Sequence, residues 1–168
     1  MSAAVIRPAG EQDLEAIGAI YAHYVEHTAA TFDVDVPDLD AWRARWRAAG
    51  GVGHPWRVAE LEGVVAGYAT ASAFRPKAAY FSTVETTIYL RPDTVGRGLG
   101  RELYAHVLRA AAAAPFHLAV AGITLPNPGS VALHEALGFT PVGTFSQIGH
   151  KLGAWRDVSW WQLRLGSS

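Results

Sequence analysis

A glycine-rich segment that follows an acidic residue is the part of the sequence best suited to chemistry. Gly96, Gly98 and Gly100 are each separated by one residue and stand just before a segment of helical character. Glycines leave backbone N–H groups uncovered, and the start of a helix adds the positive end of its dipole, so the arrangement favours the binding of a phosphate group. Glu85 lies on the predicted strand that leads into this segment. A pyrophosphate site with a carboxylate nearby indicates an enzyme that uses a nucleotide-bearing cofactor.

The spacing of the glycines argues against two common nucleotide-binding loops. A P-loop requires Lys and then Ser or Thr directly after its last glycine, whereas Arg101 and Glu102 follow Gly100. A dinucleotide-binding loop has the spacing Gly-x-Gly-x-x-Gly, with an acidic residue about twenty positions later. The second gap between the glycines is one residue too short for that loop, and no acidic residue occurs in the following predicted strand.

The elements that must position these residues are strands crossed by helices. Period-two alternation and short apolar runs predict strands, and apolar residues at helical spacing predict helices. The predicted strands cover residues 5–7, 56–61, 64–72, 82–90, 117–124, 141–146 and 158–165, and the predicted helices cover 13–26, 39–51, 99–114 and 130–137. Glu62-Gly63 is expected to turn a hairpin between two of the strands. The sequence therefore predicts an α/β fold in one domain over residues 1–168.

Composition narrows the class of protein. The 168 residues carry a formal net charge of −1, which gives no indication of nucleic-acid or membrane binding. The sequence has no cysteine, so disulfides, thiolate metal sites and a cysteine nucleophile are excluded. The first residues lack the cationic and apolar regions of a signal peptide, and no apolar run is long enough to span a bilayer. We therefore expect a cytoplasmic protein.

Two segments resemble the signatures of the GNAT N-acetyltransferase superfamily. Residues 95–100, Val-Gly-Arg-Gly-Leu-Gly, resemble its acyl-CoA loop, Gln/Arg-x-x-Gly-x-Gly/Ala, with Val95 in place of the usual Gln or Arg. Residues 127–139 are similar to its second signature, Asn-x-x-Ser/Ala-x-x-Leu-Tyr-x-x-x-Gly-Phe. Further blocks, such as Leu125-Pro-Asn and Lys151-x-Gly-x-Trp-x-Asp-Val, closely resemble the phosphinothricin N-acetyltransferases and their relatives that acetylate methionine sulfone and methionine sulfoximine. This similarity extends from Ile6 to Leu165.

The resemblance implies how acetyl-CoA, as co-substrate, would bind. In the superfamily a mixed central sheet has helices on both faces, and two strands, here those containing Glu85 and residues 117–124, begin adjacent and then splay apart. The pantetheine arm lies in the gap and uses backbone groups as an added strand would. The residues implied for the cofactor are Ile88, Tyr89 and Leu90 for pantetheine, Val95, Gly96, Arg97, Gly98, Leu99 and Gly100 for the pyrophosphate, and Asn127 for the pantetheine amide. Arg97 or Arg101 is expected to supply the charge that Val95 lacks.

The chemistry of acetyl transfer requires a base, because an ammonium group has no lone pair. Glu85 shares one strand face with Thr87 and Tyr89, and the resemblance implies that it is the general base. His134 occupies the position at which many superfamily members have a tyrosine thought to protonate the CoA sulfur. A backbone N–H near Ile88 is expected to stabilise the developing oxyanion.

The acceptor pocket is indicated less directly. Residues implied by the resemblance to contact the acceptor are Phe32, Phe74, Arg75 and Lys77. Arg75 is suited to bidentate binding of a carboxylate, phosphinyl or sulfonyl group. His150 and Lys151 are expected in a loop that closes the pocket, from the same or a neighbouring subunit. Together these residues favour a small anionic amino acid over a peptide or a polyamine.

Other functions remain open at this point. The chain would also suit an acetyltransferase for a protein N-terminus or an aminoglycoside, or an acyl-CoA-binding module without catalysis. A metal site is not expected, because His23 and His27 have helical spacing but no third ligand in view. The resemblance, with Trp155, Trp160 and Trp161 near the C-terminus, favours a homodimer.

Overall fold

The computed structural model describes residues 3–166 as one mixed sheet with helices on both faces. Its strands are β1 (Val5–Pro8), β2 (Trp56–Leu61), β3 (Val64–Ala73), β4 (Thr83–Leu90), β5 (Leu118–Thr124), β6 (Thr140–Lys151) and β7 (Ala154–Arg164). Its helices are α1 (Leu14–His27), α2 (Leu39–Val52), α3 (Leu99–Ala113) and α4 (Pro128–Ala136). Within the described residues, no helix combines the length and the apolar character that a membrane span requires.

The sheet is mixed, with one parallel pair of strands at its centre. The strand order is β1-β2-β3-β4-β5-β7-β6, and all neighbours are antiparallel except β4 and β5. The parallel pair is short, with Thr83, Val84 and Glu85 paired to Leu118, Ala119 and Val120. Beyond Glu85 the two strands diverge and leave one edge of β4 unpaired. The prediction of a mixed sheet that splays at this point is confirmed.

Two apolar layers hold the helices against the sheet. On one face, Leu103, Val107 and Ala111 of α3 are fully buried against strand residues such as Val84 and Ala119. On the other face, α1 and α2 pack their apolar residues against β2 and β3. The fully buried members of this second layer include Leu14, Ile17 and Val58. The alternation of side chains along β4 therefore sends successive residues towards different helix layers.

A partly buried ion pair fixes the start of α1 to the edge of the sheet. Arg7 on β1 donates from both terminal nitrogens to the two carboxylate oxygens of Asp13, each at 2.7 Å. Asp13 is 3% exposed, and it also accepts from the Gly10 N–H at 2.7 Å. Glu60 on β2 pairs with the same guanidinium. Because α1 contributes Tyr21 and Tyr24 to the central region, this anchor helps to position the site.

The hairpin of β6 and β7 is longer than the sequence predicted. The expected loop around His150 and Lys151 is wrong, because both residues belong to β6 and pair with Trp155 and Ala154 of β7. Most of β6 is exposed on both faces, so it lacks the apolar alternation that signals a strand. Helix α2 also continues past the predicted end at Gly50-Gly51, and Gly53 ends it in the left-handed conformation with φ 75°.

We expect Asp13→Asn to lower the free energy of unfolding at pH 7 by about 1–3 kcal/mol, because it weakens the buried pairing with Arg7. The hydrogen bond from Arg7 holds the pKa of Asp13 below its usual range. The wild-type advantage is therefore full at neutral pH, shrinks as pH falls below about 4, where the carboxylate of the unfolded chain binds a proton, and is lost when the native carboxylate is protonated as well. Urea unfolding between pH 2 and pH 7 measures this difference.

The exposed Glu15 on the same helix provides the matched control. Glu15→Gln should change the free energy of unfolding by less than about 0.5 kcal/mol over the same pH range. A difference between Asp13→Asn and wild type that stays constant down to pH 2 would contradict the role given to the ion pair.

Candidate active site

The backbone groups on the unpaired edge of β4 point into a cleft. The Tyr24 hydroxyl donates to the Leu90 carbonyl oxygen at 2.5 Å, so this carbonyl points away from the neighbouring strand β3. Backbone groups along a strand alternate between its two edges with a period of two. The N–H and C=O of Ile88 therefore point in the same direction as the Leu90 carbonyl. This edge is available to an extended ligand that pairs as an added strand would.

The cleft between β4 and β5 has a volume of about 650 Å³. It is bounded by the ends of both strands, by the glycine-rich loop and by the start of α4. The predicted cofactor residues that line it are Ile88, Tyr89, Leu90, Val95, Gly96, Gly98, Gly100 and Asn127. Leu99 is instead buried in the core at 5% exposure. Arg101 lines the cleft and Arg97 does not, which favours Arg101 as the cation beside the loop.

The glycine-rich loop has the backbone geometry of an anion site. Gly96 and Gly98 have φ of 83° and 78°, in the left-handed region that favours glycine. A Cβ at either position would meet no described atom within 4 Å, so the space beside the loop is open. Gly98 is the residue that precedes α3, and no side chain caps this helix start. The first-turn N–H groups of a helix without such a cap favour a negatively charged ligand.

Asn127 begins α4 on the opposite side of the cleft. Its side-chain oxygen accepts a hydrogen bond from the Ser130 N–H at 3.2 Å, as a helix-capping residue does. Since the oxygen is used in this bond, the amide NH₂ is the part of Asn127 suited to donate to a ligand.

Glu85 lies at the last residue pair of β4 and β5, where the strands separate. Its side chain is half-buried and shares one face of β4 with Thr87 and Tyr89. Burial raises the pKa of the Glu85 carboxyl above its usual range, and the positive charge of Arg75 partly opposes this shift. A carboxylate with a raised pKa beside a cleft is a suitable acceptor for a proton near neutral pH.

His134 is buried on the cofactor side of the cleft at 4% exposure. Its Nδ1 lies 2.7 Å from the Ser130 carbonyl oxygen, so Nδ1 donates. Its Nε2 lies 3.1 Å from the Tyr104 hydroxyl, which lies 2.6 Å from the Thr86 hydroxyl. Burial lowers the pKa of the ring, although the bond to Ser130 acts in the opposite direction. The geometry fits a neutral imidazole that accepts from Tyr104.

The predicted acceptor residues occupy two places. The Arg75 guanidinium lies 4.8 Å from the centre of the Phe74 ring, and Phe74 packs edge-on against Trp160 at 6.1 Å. Arg75 is close enough to Glu85 to influence its pKa. Phe32 packs against Gly149 of β6, where a Cβ would overlap its ring. Lys77 is exposed at the start of a short turn that follows β3.

A buried network holds the segment that contains Phe32. The Tyr21 hydroxyl donates to Asp33 and bonds the Thr31 hydroxyl, each at 2.6 Å. The Lys151 ammonium, 6% exposed, donates to the Thr31 carbonyl at 2.7 Å. The end of β6 and the chain after α1 are thus joined beside Phe32. Sequence reasoning missed this network, and it also missed Tyr24, Thr86 and Tyr104, because no periodic pattern marks a polar contact between distant segments.

Metal-binding side chains are not clustered in the part of the chain that the structure describes. No group of three or more His, Asp or Glu residues is placed there to hold an ion. The polar groups of the cleft are backbone amides, hydroxyls and single titratable side chains.

Comparison with known proteins agrees with this geometry. A family model described as an acetyltransferase (GNAT) domain matches residues 6–160. The chain is 41% identical to a phosphinothricin N-acetyltransferase of Streptomyces coelicolor, over 95% of each chain. It is 39% identical to an L-methionine sulfoximine/L-methionine sulfone acetyltransferase of Salmonella typhimurium, over 95% of this chain and 94% of that one.

A solved structure gives the same result for the fold. An acetyltransferase from Salmonella typhimurium, determined with its cofactor acetyl-CoA, superposes with a TM-score of 0.96 at 38% identity. The superposition covers 99% of this chain and 96% of that one. The protein described here therefore belongs to the GNAT family of acetyltransferases.

Proposed function

We propose that this enzyme transfers the acetyl group of acetyl-CoA to the α-amino group of a small amino acid of the phosphinothricin, methionine sulfoximine or methionine sulfone type. The observation that carries the proposal is the position of Glu85, at the point where β4 and β5 separate and directly before Thr86, the first residue of β4 that lines the cleft. The names of the relatives at 39–41% identity support this class of acceptor.

The residues around the cleft fit acetyl-CoA in shape and chemistry. The unpaired edge at Ile88 and Leu90 suits the amide groups of a pantetheine arm, and the loop at Gly96 and Gly98 suits a pyrophosphate. Arg101 adds a positive charge at the mouth of the same loop. When bound, acetyl-CoA supplies an acetyl group activated as a thioester.

Glu85 and the backbone of β4 would perform the transfer. Glu85 accepts a proton from the acceptor's ammonium group, directly or through one water, and the nitrogen gains the lone pair with which it attacks the carbonyl carbon. A backbone N–H near Ile88 donates to the oxygen on which negative charge develops. The bond between carbonyl carbon and sulfur would then break with the sulfur leaving as a thiolate, while the nitrogen, now bonded to the carbonyl carbon, would release its second proton to solvent.

His134 is the candidate that would protonate this thiolate, and that role stays a prediction. Both ring nitrogens already have partners, Ser130 and Tyr104. Proton donation from Nε2 would require the Tyr104 hydroxyl to turn towards Thr86 and release the ring. A thiolate is also a stable enough leaving group to depart without a proton at neutral pH.

A homodimer and a cytoplasmic location also stay predictions. Of the three tryptophans that suggested an interface, Trp161 is buried in the core and Trp160 contacts Phe74. Trp155, on the long hairpin, is 63% exposed. If a second copy covers part of this protein, the exposed hairpin of β6 and β7 is the surface that we expect it to cover, and light scattering measures the mass.

The proposed function is tested by consumption of acetyl-CoA with phosphinothricin, methionine sulfoximine, methionine sulfone, ordinary amino acids and an aminoglycoside. We expect turnover with at least one of the first three and none with the aminoglycoside. Binding of acetyl-CoA without turnover on any amine would instead indicate a non-catalytic binding module.

We expect Glu85→Gln to lower kcat by about 10²–10⁴ while the Kd for acetyl-CoA stays unchanged, because only the general base is lost. Since the pKa of Glu85 is raised by burial, kcat/KM of the wild type should fall as pH decreases through a value above the ordinary carboxyl range. Steady-state kinetics between pH 5 and pH 9 measures both effects.

Glu102 is the matched control, since its carboxylate is exposed on the first turn of α3. Glu102→Gln should keep the wild-type kcat and the same pH dependence. Turnover of Glu85→Gln at the wild-type rate would refute the assignment of Glu85 as the base.

We expect Gly98→Val to raise the Kd for acetyl-CoA at least about tenfold, because a β-branched residue is strained at φ 78° and its side chain occupies the space beside the loop. Isothermal titration calorimetry measures the Kd. Gly53→Val is the matched control, since Gly53 has φ 75° and equally open surroundings but lies at the end of α2. It should lower stability and leave the Kd unchanged, and a normal Kd in Gly98→Val would contradict the loop assignment.

A further inference from the structure

A second cavity lies on the Glu85 side of the sheet, beneath α2. Its volume is about 500 Å³, and its walls come from α2 and from strands β2, β3 and β4. It shares Thr87 and Tyr89 with the cleft between β4 and β5. The two cavities therefore meet along β4, and the second one is the place where an acceptor attached to the reacting acetyl group would extend.

The strand register places the mouth of this cavity beside Glu85. Ser72, which lines the cavity, is paired directly across from Glu85, and Thr87 follows two residues later on the same face. Side chains directly opposite in an antiparallel pair have Cβ atoms about 5 Å apart. An α-amino acid whose nitrogen contacts Glu85 is therefore at the mouth of the cavity, and its carboxylate and side chain are close enough to enter it.

Arg45 occupies an unusual position on α2. Trp42, Arg45, Ala49 and Val52 recur at helical spacing and all line the cavity, so a cation stands within a stripe that is otherwise apolar. The neighbouring arginines on the other side of the helix, Arg43 and Arg47, both reach Glu11.

Arg45 is held over an aromatic ring and not by a carboxylate. Its guanidinium carbon lies 5.1 Å from the centre of the Trp42 ring, a favourable cation–π arrangement. Within residues 3–166 no carboxylate lies at ion-pair distance from it. The positive charge is therefore available to an anionic group that enters the cavity.

The wall of the cavity also carries hydroxyl groups that can bind an acceptor. Thr70 and Thr87 on adjacent strands share a hydrogen bond at 2.9 Å, and each hydroxyl has capacity for a further partner. Arg75 is close enough to Glu85 to influence its pKa and does not line the cavity, so it suits the α-carboxylate of an acceptor whose nitrogen contacts Glu85. Arg45 lines the cavity from α2, on a different element from Glu85 and Arg75.

We propose that Arg45 determines acceptor specificity by binding an anionic group at the end of the acceptor's side chain, such as a phosphinate. This inference rests on the proposed function, because it assumes that the amino group reacts at Glu85. The guanidinium forms charge-assisted hydrogen bonds with an anionic oxygen, and it has less to gain from a neutral sulfone.

The test compares two acceptors in one variant. In Arg45→Met the KM for phosphinothricin should rise about tenfold, because a charge-assisted contact at a partly solvated site is lost. The KM for methionine sulfone, whose side chain is neutral, should stay within about twofold of wild type. Arg45→Lys, which keeps the charge, should restore part of the preference for phosphinothricin. Arg47→Met, on the same helix but paired with Glu11, should change neither KM.

Each outcome separates this inference from the proposed function. Wild-type protein that acetylates neither of these acceptors, nor methionine sulfoximine, would refute the proposed function itself. Wild-type protein that acetylates methionine sulfone but not phosphinothricin would refute the role of Arg45 while leaving the proposed function standing. Wild-type protein that acetylates both, with equal changes in the two KM values in Arg45→Met, would place Arg45 at the shared α-carboxylate and refute the side-chain assignment. An unchanged KM for phosphinothricin in a variant with the wild-type Tm would refute any role of Arg45 in acceptor binding.

Discussion

The early end of pairing between β4 and β5 is the constraint on which the rest of the site depends. Three residue pairs join the strands, and the backbone groups after Glu85 then lack a neighbouring strand on that edge. Unsatisfied backbone groups in an interior are costly, so the gap favours a ligand that presents amides of its own. The same divergence places the Glu85 carboxylate at the point where the two strands separate. Binding and proton transfer therefore depend on one feature of the sheet.

The two helix layers provide different functional groups on either side of this gap. The layer with α3 and α4 provides an open helix start, a capping asparagine and the buried chain Thr86–Tyr104–His134. The layer with α1 and α2 provides aromatic walls and the cation Arg45. Because residues alternate along β4, Thr86 belongs to the first layer and Thr87 to the second. One strand thus presents different chemistry to two cavities.

The parts of the molecule that depend on local backbone chemistry could be predicted from the sequence. The glycine-rich loop, the turn at Glu62-Gly63 and the end of α4 before Gly138 all require glycine at a positive φ, and glycine is visible in the sequence. The mixed sheet that splays at the cofactor cleft followed from the resemblance to a known family and not from periodicity, whereas the order of its strands was not predicted. The position of Glu85 at the splay was likewise inferred from that resemblance and agrees with the register.

Contacts between distant segments could not be predicted. The bond from Lys151 to the Thr31 carbonyl joins residues 120 positions apart, and neither residue belongs to a pattern that indicates the other. In the sequence nothing distinguishes Arg45 from the neighbouring Arg43 and Arg47; only the cavity beneath α2 does. The first half of β6 was predicted as a strand over residues 141–146, but His150 and Lys151 were expected in a loop because the exposed second half has no apolar face from which to recognise it.

The geometry of the edge strand β6 also has a consequence for aggregation. A long, flat edge strand with unpaired backbone groups would pair with strands of other molecules and begin aggregation. In β6 the ladder with β7 is interrupted twice, once near Gly143 and once between Phe145 and Gly149, and Gln147 has a φ of 52°. Such irregularities bend and twist a strand, so its outer margin no longer matches a straight neighbour. The largely solvent-exposed strand β6 therefore does not act as a template for fibrils.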